Sequence, residues 1–296
     1  MILIAIACTA VSNGQRAEDS TDSNSDTAIL QTHRFIDVKL AYYGGCALDD
    51  AGEVLCWGNS NYGVDSPPNG VFTALSSAAG VACALDQGGG LYCWGSISPF
   101  ADAFDAGESL AAIDVADDGL CGLRSDGTSL CWGNDVYGEY DPPSMPLAAI
   151  QTDGHESCGL DLSGHVMCWG GNLWGQDEEH GETFSALSLT EGQVCGIEAE
   201  TNNLVTWGWG SFSGTPRYTE SVAAIACGQS ADCALLLDGS VGCWGHNPGL
   251  HPGPYVAVAV DIYALACGVR DIGTIDCWYD GDQNDADSTG ALDVPL

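Results

Sequence analysis

The sequence predicts an all-β protein: a seven-bladed β-propeller of three- to four-stranded antiparallel blades, stapled by disulfides. Three observations predict it. The 296-residue chain repeats itself seven times at steps of 34–38 residues. Each repeat carries a hairpin signature with cysteine, glycine and tryptophan at set offsets. Each signature is preceded by a second short apolar stretch rich in small residues. A fixed period of this length marks an architecture of stacked supersecondary units.

The hairpin comes first. The leading cysteines are Cys46, Cys83, Cys121, Cys158, Cys195, Cys233 and Cys267. In six units a second cysteine follows ten positions later, at Cys56, Cys93, Cys131, Cys168, Cys243 and Cys277, with tryptophan immediately after it. Gly52, Gly89, Gly127, Gly164, Gly239 and Gly273 each lie six residues past the leading cysteine. If Cys46 faces Cys56, Asp49 faces Glu53 and the loop is residues 50–52. A three-residue hairpin loop ends on a left-handed residue, which glycine tolerates. Opposed cysteines on a non-hydrogen-bonded antiparallel pair sit close enough for a disulfide. The predicted pairs are Cys46–Cys56, Cys83–Cys93, Cys121–Cys131, Cys158–Cys168, Cys233–Cys243 and Cys267–Cys277. Zinc motifs space their cysteines by two to four residues, so nine intervening residues argue against metal.

The inner strand comes next. Phe72–Leu75, Leu110–Ile113, Leu147–Ile150, Phe184–Leu187, Val222–Ile225 and Val256–Ala259 precede the hairpins, and their small residues suit strands packed around a central axis. After the Trp-Gly step come turns and acidic-proline stretches such as Asp65–Pro68 and Asp141–Pro143, and the sequence leaves open whether a fourth, outer edge strand forms there. No single unit can bury a core. Closing seven of them in a ring buries the faces between blades and removes long edges.

The fifth unit is irregular. Trp207 lies twelve residues after Cys195, where the other units have eleven, and Thr206 replaces the second cysteine. The extra residue is expected to break the opposing register. Asn202-Asn203 takes the place of the glycine, and asparagine tolerates left-handed backbone. Cys8, Cys195 and Cys227 are then left over, and if Cys8 carries a lipid the other two are expected to pair between blades five and six.

The segments 226–247 (ACGQSADCALLLDGSVGCWGHN) and 157–176 (SCGLDLSGHVMCWGGNLWGQ) resemble the regulator-of-chromosome-condensation repeats. The likeness covers about 33–296. It is nearest to a secreted bacterial, cysteine-rich branch, in style like the seven-bladed β-lactamase inhibitory propellers. The resemblance implies a propeller that binds a protein target through aromatic and polar loops on one rim.

The N-terminus has its own organisation. Residues 1–8 (MILIAIAC) resemble the end of a lipoprotein signal, with Cys8 as the lipidated residue, although the basic stretch is missing. Residues 9–32 read as a disordered polar tether and 33–296 as the propeller. With Cys8 lipidated, the fifteen cysteines resolve into one lipid site and seven disulfides. Disulfides in this number point to an extracytoplasmic site, at the cell surface, in the periplasm or secreted. No apolar run reaches the ~18 residues of a membrane-spanning helix, so a membrane is expected only through the lipid.

The formal charge is −35, from 6 Lys+Arg against 41 Asp+Glu, which excludes a phosphate-binding surface and makes nucleic acid a poor partner. The six histidines share no ligand spacing, and they read as surface or turn residues. No nucleophile elbow or Ser-x-x-Lys motif stands out, so no catalytic residue is assigned. Five residues after the repeat tryptophan lie Tyr62, Tyr137, Trp174 and Phe212, on one rim. They are candidate interface anchors, against the plainer reading of consensus packing residues. No resident cofactor is expected. The alternating Asp280, Asp282 and Asn284 form a calcium candidate, although Asp285 and Ala291 stand where an EF-hand needs Gly and Glu. A solvated acidic loop is the plainer reading. The function expected is a monomeric, non-enzymatic, exported propeller that binds another protein. The alternatives are a polymer-degrading enzyme with a carboxylate-rich channel and a carbohydrate-binding module using the rim aromatics.

Overall fold

A computed structural model describes residues 33–41, 44–58, 62–96, 107–171, 175, 181–190, 192–208, 222–246, 248–261 and 264–279. Cys8, Trp174, Phe212 and the Asp280/Asp282/Asn284 set lie outside the described residues, as do the proposed signal and tether.

Seven antiparallel sheets follow one another along the chain, each built from consecutive strands. Blade one is β1 (Phe35–Ala41), β2 (Gly44–Asp49) and β3 (Val54–Gly58); blade two is β4 (Phe72–Ala78), β5 (Val81–Asp86) and β6 (Leu91–Gly95). Blade three is β7 (Ala112–Val115), β8 (Gly119–Leu123) and β9 (Ser129–Gly133); blade four is β10 (Leu147–Asp153), β11 (Glu156–Asp161) and β12 (Val166–Gly170). Blade five is β13 (Phe184–Thr190), β14 (Gln193–Glu198) and β15 (Leu204–Gly208). Blade six is β16 (Val222–Cys227), β17 (Ala231–Leu236), β18 (Val241–Gly245) and β19 (Gly249–His251); blade seven is β20 (Tyr255–Val260), β21 (Ala266–Arg270) and β22 (Ile275–Trp278).

The fourth strand is found only in blade six among the described residues. The stretches Asp65–Pro68 and Asp141–Pro143 carry no strand. Proline has no N–H to donate to a ladder, and two in succession prevent pairing there.

The hairpins follow from their turn chemistry. In blade one, the Asp49 N–H donates to the Glu53 carbonyl at 3.0 Å and the Gly52 N–H to the Asp49 carbonyl at 3.1 Å, enclosing residues 50–52. The six repeat glycines all hold φ between 79° and 88°, the region a side chain disfavours. Each turn also binds the next blade. The Gly52 carbonyl accepts the Phe72 N–H at 2.8 Å, and the same bond recurs at every junction, including Phe35 N–H to Gly273 carbonyl at 3.0 Å between blades one and seven. That last bond closes the ring.

The core is divided in the same way. Seven buried clusters occupy the seven junctions, and the one joining blade seven to blade one holds Phe35, Val38, Trp57, Leu265, Val269 and Ile275. The repeat tryptophan links neighbours as well as filling space. The Trp94 indole N–H donates to the Val64 carbonyl at 2.7 Å, and that of Trp169 to the Glu139 carbonyl at 3.0 Å. Val64 and Glu139 hold equivalent positions in the loops of the preceding blades. Each carbonyl satisfies a buried indole donor that would otherwise be costly.

The cysteines of six hairpins face each other in register, with Cα–Cα separations of 4.0–4.1 Å, and are bonded. Blade five departs from the expectation. Its register is intact: Cys195 faces Thr206 and Ile197 faces Leu204. The extra residue is absorbed in the turn, where Asn202 takes φ 56° and its N–H donates to the Glu198 carbonyl. A turn outside the ladder lengthens without disturbing side-chain alternation, whereas a slip inside it would turn every buried residue outward. Cys195 is bonded to Cys227 at the end of β16, with Cα–Cα 6.5 Å.

Candidate functional site

The first strands of the seven blades line the central axis. They run from the hairpin-turn face to the opposite face, where they open into a cavity of about 490 Å³ lined by residues from all seven blades. Its lining includes Asp114, Asp117, Asp118, Asp153 and Asp261, together with Tyr137 and His155. Because every blade contributes, a single ligand placed there touches elements far apart in sequence.

The walls are cross-linked by side-chain oxygens. In three blades the residue four past the one bonded to the preceding blade's turn accepts a backbone N–H from the next blade: Ser76 from Val115 at 3.2 Å, Asp114 from Thr152 at 2.8 Å, and Ser188 from Cys227 at 3.0 Å. Asp114 also accepts the Ser76 hydroxyl at 3.1 Å, so one carboxylate joins three inner strands. Burial lifts its carboxyl to about 6, against the opposing pull of the Thr152 N–H, the Ser76 hydroxyl and the charge of Lys39. Lys39, the single lysine of the chain, belongs to β1 at the same level. At the mouth, Asp118 accepts the Tyr140 hydroxyl at 2.7 Å. Burial, and then this carboxylate, push the Tyr140 phenol well above its ordinary range.

Two of the four candidate anchors are described, and the structure places them equivalently. Tyr62 follows blade one and lies against Gly80 in the β4–β5 turn of blade two, where a Cβ on Gly80 would meet its ring at 2.8 Å. Tyr137 follows blade three and packs beside His155 in the β10–β11 turn of blade four, ring centroids 5.5 Å apart. Both belong to the channel-mouth face and remain 46% and 48% exposed. Tyr137 is held by its backbone: its N–H donates to the Glu139 carboxylate at 2.6 Å, and that glutamate is fully buried. The aromatic ring is therefore presented on a fixed loop.

The opposite face differs. Ile36, Val71, Leu162, Leu237, Val256 and Ile272 are exposed there, at hairpin turns or beside inner-strand starts.

Sequence reasoning missed His33 and His251. His33 is half-buried and its Nδ1 lies 2.7 Å from Asp49 Oδ2. His251 stacks on Trp278 with centroids 4.0 Å apart, and burial lowers its pKa. Neither follows the repeat, and the repeat was the only available signal. Cys195, Cys227 and Asp232 also lie together, but those two sulfurs are bonded to each other and offer no thiolate to a metal.

Solved structures share this ring of blades. The ectodomain of the receptor kinase CR4 from Physcomitrella patens gives a TM-score of 0.68 at 25% identity, over 82% of this chain and 72% of that one. The CRINKLY WD40 ectodomain of the Arabidopsis thaliana receptor kinase ACR4 gives 0.69 at 23%, over 83% and 95%. Prp20p, the RCC1 of Saccharomyces cerevisiae, gives 0.63 at 14%, over 83% and 82%. The fold is that of an RCC1-like propeller. No family model and no curated protein matches the sequence. The seven disulfides of this RCC1-like propeller suggest an oxidising, extracytoplasmic location. No helix among the described residues is long and apolar enough to cross a membrane.

Proposed function

We propose that this protein is an exported, monomeric, non-enzymatic propeller of the secreted bacterial, cysteine-rich branch. It binds another protein through the channel-mouth face. A lipid on Cys8 and the polar stretch 9–32 hold it at the cell surface. The observation that carries the reading is the pair Tyr62 and Tyr137, exposed at equivalent positions, with Tyr137 lining the cavity together with Asp117 and Asp118. Fixed aromatics ringed by negative charge fit a basic, partly apolar protein patch. Relatives in fold support it: Prp20p has been described with Gsp1p and histones, and yeast RCC1 bound to Kap60. The channel carboxylates favour binding over polymer cleavage, because Asp114 and Asp118 are engaged in hydrogen bonds that hold the walls.

The test starts by cross-linking the full chain to extracytoplasmic proteins of its source. The captured protein is then purified and titrated against variants. Tyr62→Ala/Tyr137→Ala is expected to weaken binding by roughly tenfold or more, and Leu237→Ser/Ile272→Ser to leave it unchanged. The reverse result moves the interface to the turn face and overturns the reading. Glycan-array binding that depends on the two tyrosines would replace the protein partner with a carbohydrate.

A further inference from the structure

We propose that His33, Asp49 and Glu53 form a binding site for one Zn²⁺-class transition-metal ion, at the point where the chain enters the propeller. Their Nδ1, Oδ2 and Oε2 atoms all lie within 4.8 Å of one another. His33 Nδ1 is 2.7 Å from Asp49 Oδ2 and 3.8 Å from Glu53 Oε2. Ligands at Zn–N and Zn–O distances of ~2.0–2.2 Å in a tetrahedron stand about 3.4 Å apart. The two observed separations straddle that value, so side-chain shifts of under an ångström would admit the ion.

Two of the three ligands are already oriented. Asp49 is buried, and its Oδ1 accepts the Ala51 and Glu53 N–H groups at 3.0 and 2.7 Å. Those bonds leave Oδ2 turned toward the imidazole. His33 is 15% exposed and stacks on Phe35 at 6.0 Å, which fixes its ring plane. Glu53 is half exposed and free to swing inward. Two carboxylates and a neutral imidazole balance a divalent charge, and imidazole selects zinc-like ions over calcium. The fourth position is open to water.

The repeat supplies an internal control. In blade four, Asp161 Oδ1 likewise accepts two turn N–H groups, from Ser163 and His165, and its Oδ2 lies 3.4 Å from His165 Nδ1. No third ligand joins that pair among the described residues. An Asx-type turn with a histidine partner is thus a recurring structural device, and blade one adds Glu53 and a histidine from outside the repeat. The location also gives the ion work to do. Arg34 hydrogen-bonds the Asp271 carbonyl at 2.7 Å and Phe35 the Gly273 carbonyl at 3.0 Å, so His33 abuts the junction of blades one and seven. Metal binding ties that entry segment to the blade-one hairpin.

Calorimetry of the metal-free full chain with Zn²⁺, and Co²⁺ absorption spectra, test the site. One equivalent is expected to bind, with the visible bands of low-coordinate Co²⁺ and a raised melting temperature. His33→Gln and Glu53→Gln, each checked for an unchanged metal-free melt, should weaken binding by roughly tenfold or more, and His165→Gln should not. Absence of binding in the wild type, or equal binding in His33→Gln, overturns the proposal.

Discussion

In six blades the middle-strand cysteine is bonded across its own hairpin; in blade five, Cys195 reaches instead to Cys227 at the end of the next blade's inner strand. The first arrangement closes ten residues and joins strands already paired by a turn. The second closes 32 residues and joins two blades. Where Thr206 offers no sulfur, covalent support moves from the hairpin to the junction. That junction is also the one holding a buried carboxylate beside the sulfurs, Asp232, whose partners are Gln193 Nε2 at 3.3 Å and the Gly228 N–H at 3.3 Å. A repeat can thus lose its signature residue and keep its backbone, provided a neighbour supplies the constraint.

The largest expected effect comes from reducing all seven bonds, which should collapse the thermal transition by many degrees. An unchanged melt in reductant would remove the argument for sulfur as a principal support. Next is the contrast itself. The chain-entropy model gives about 3.7 kcal/mol for the Cys195–Cys227 loop and about 2.7 kcal/mol for a hairpin loop. Denaturant melts of Cys195→Ala/Cys227→Ala against Cys83→Ala/Cys93→Ala should show the first to be the more damaging. The opposite order would mean that strain or residual denatured-state structure outweighs loop length.

Asp232 sharpens the comparison by pH. Burial raises its carboxyl from 3.8 to about 6, and the Gln193 and Gly228 bonds only partly offset this. The folded chain therefore holds the proton more tightly than the unfolded chain. The cost of ionising it is absent below pH ~4 and complete above ~6. Asp232→Asn should gain on the wild type by about 2 kcal/mol between pH 4.5 and 7.5. A gap constant with pH would assign the carboxylate a purely packing role. The smallest effect is at the lengthened turn: Asn202→Ala should cost about 1 kcal/mol, because alanine lacks the short polar side chain that steadies asparagine in the left-handed region, and Asn202→Gly should cost nothing. Equal stability of both would place the extra residue's accommodation elsewhere.

Much of this was legible in the sequence, for a definite reason. Glycines such as Gly52 and cysteine pairs such as Cys46 and Cys56 are dictated by backbone geometry, so they recur at fixed offsets and declare the hairpin. The tryptophans recur at the junctions between blades, where indoles such as those of Trp94 and Trp169 donate to a loop carbonyl of the preceding blade. The inner-strand oxygens were not legible, because Ser76, Asp114 and Ser188 do the same work with different residue types. Which blade carries a fourth strand was not legible, because proline-rich edges resemble protected strands in composition but lack the donors to form one. Blade five's register was misjudged because spacing alone does not distinguish a longer turn from a slipped ladder. At the channel mouth, Tyr62 and Tyr137 could be named from their offset, but the carboxylates converge there only through the ring.

The closing junction between blades one and seven carries no sulfur bridge: the fourteen cysteines from Cys46 onward are all bonded elsewhere. Mechanical load applied at the N-terminal end therefore falls first on β1, held by hydrogen bonds and packing alone. Peeling residues 35–46 would release about 40 Å of slack before a covalent cross-link took the strain. A propeller pulled from this end would yield first at that seam, whereas the junction of blades five and six is held by a covalent bridge.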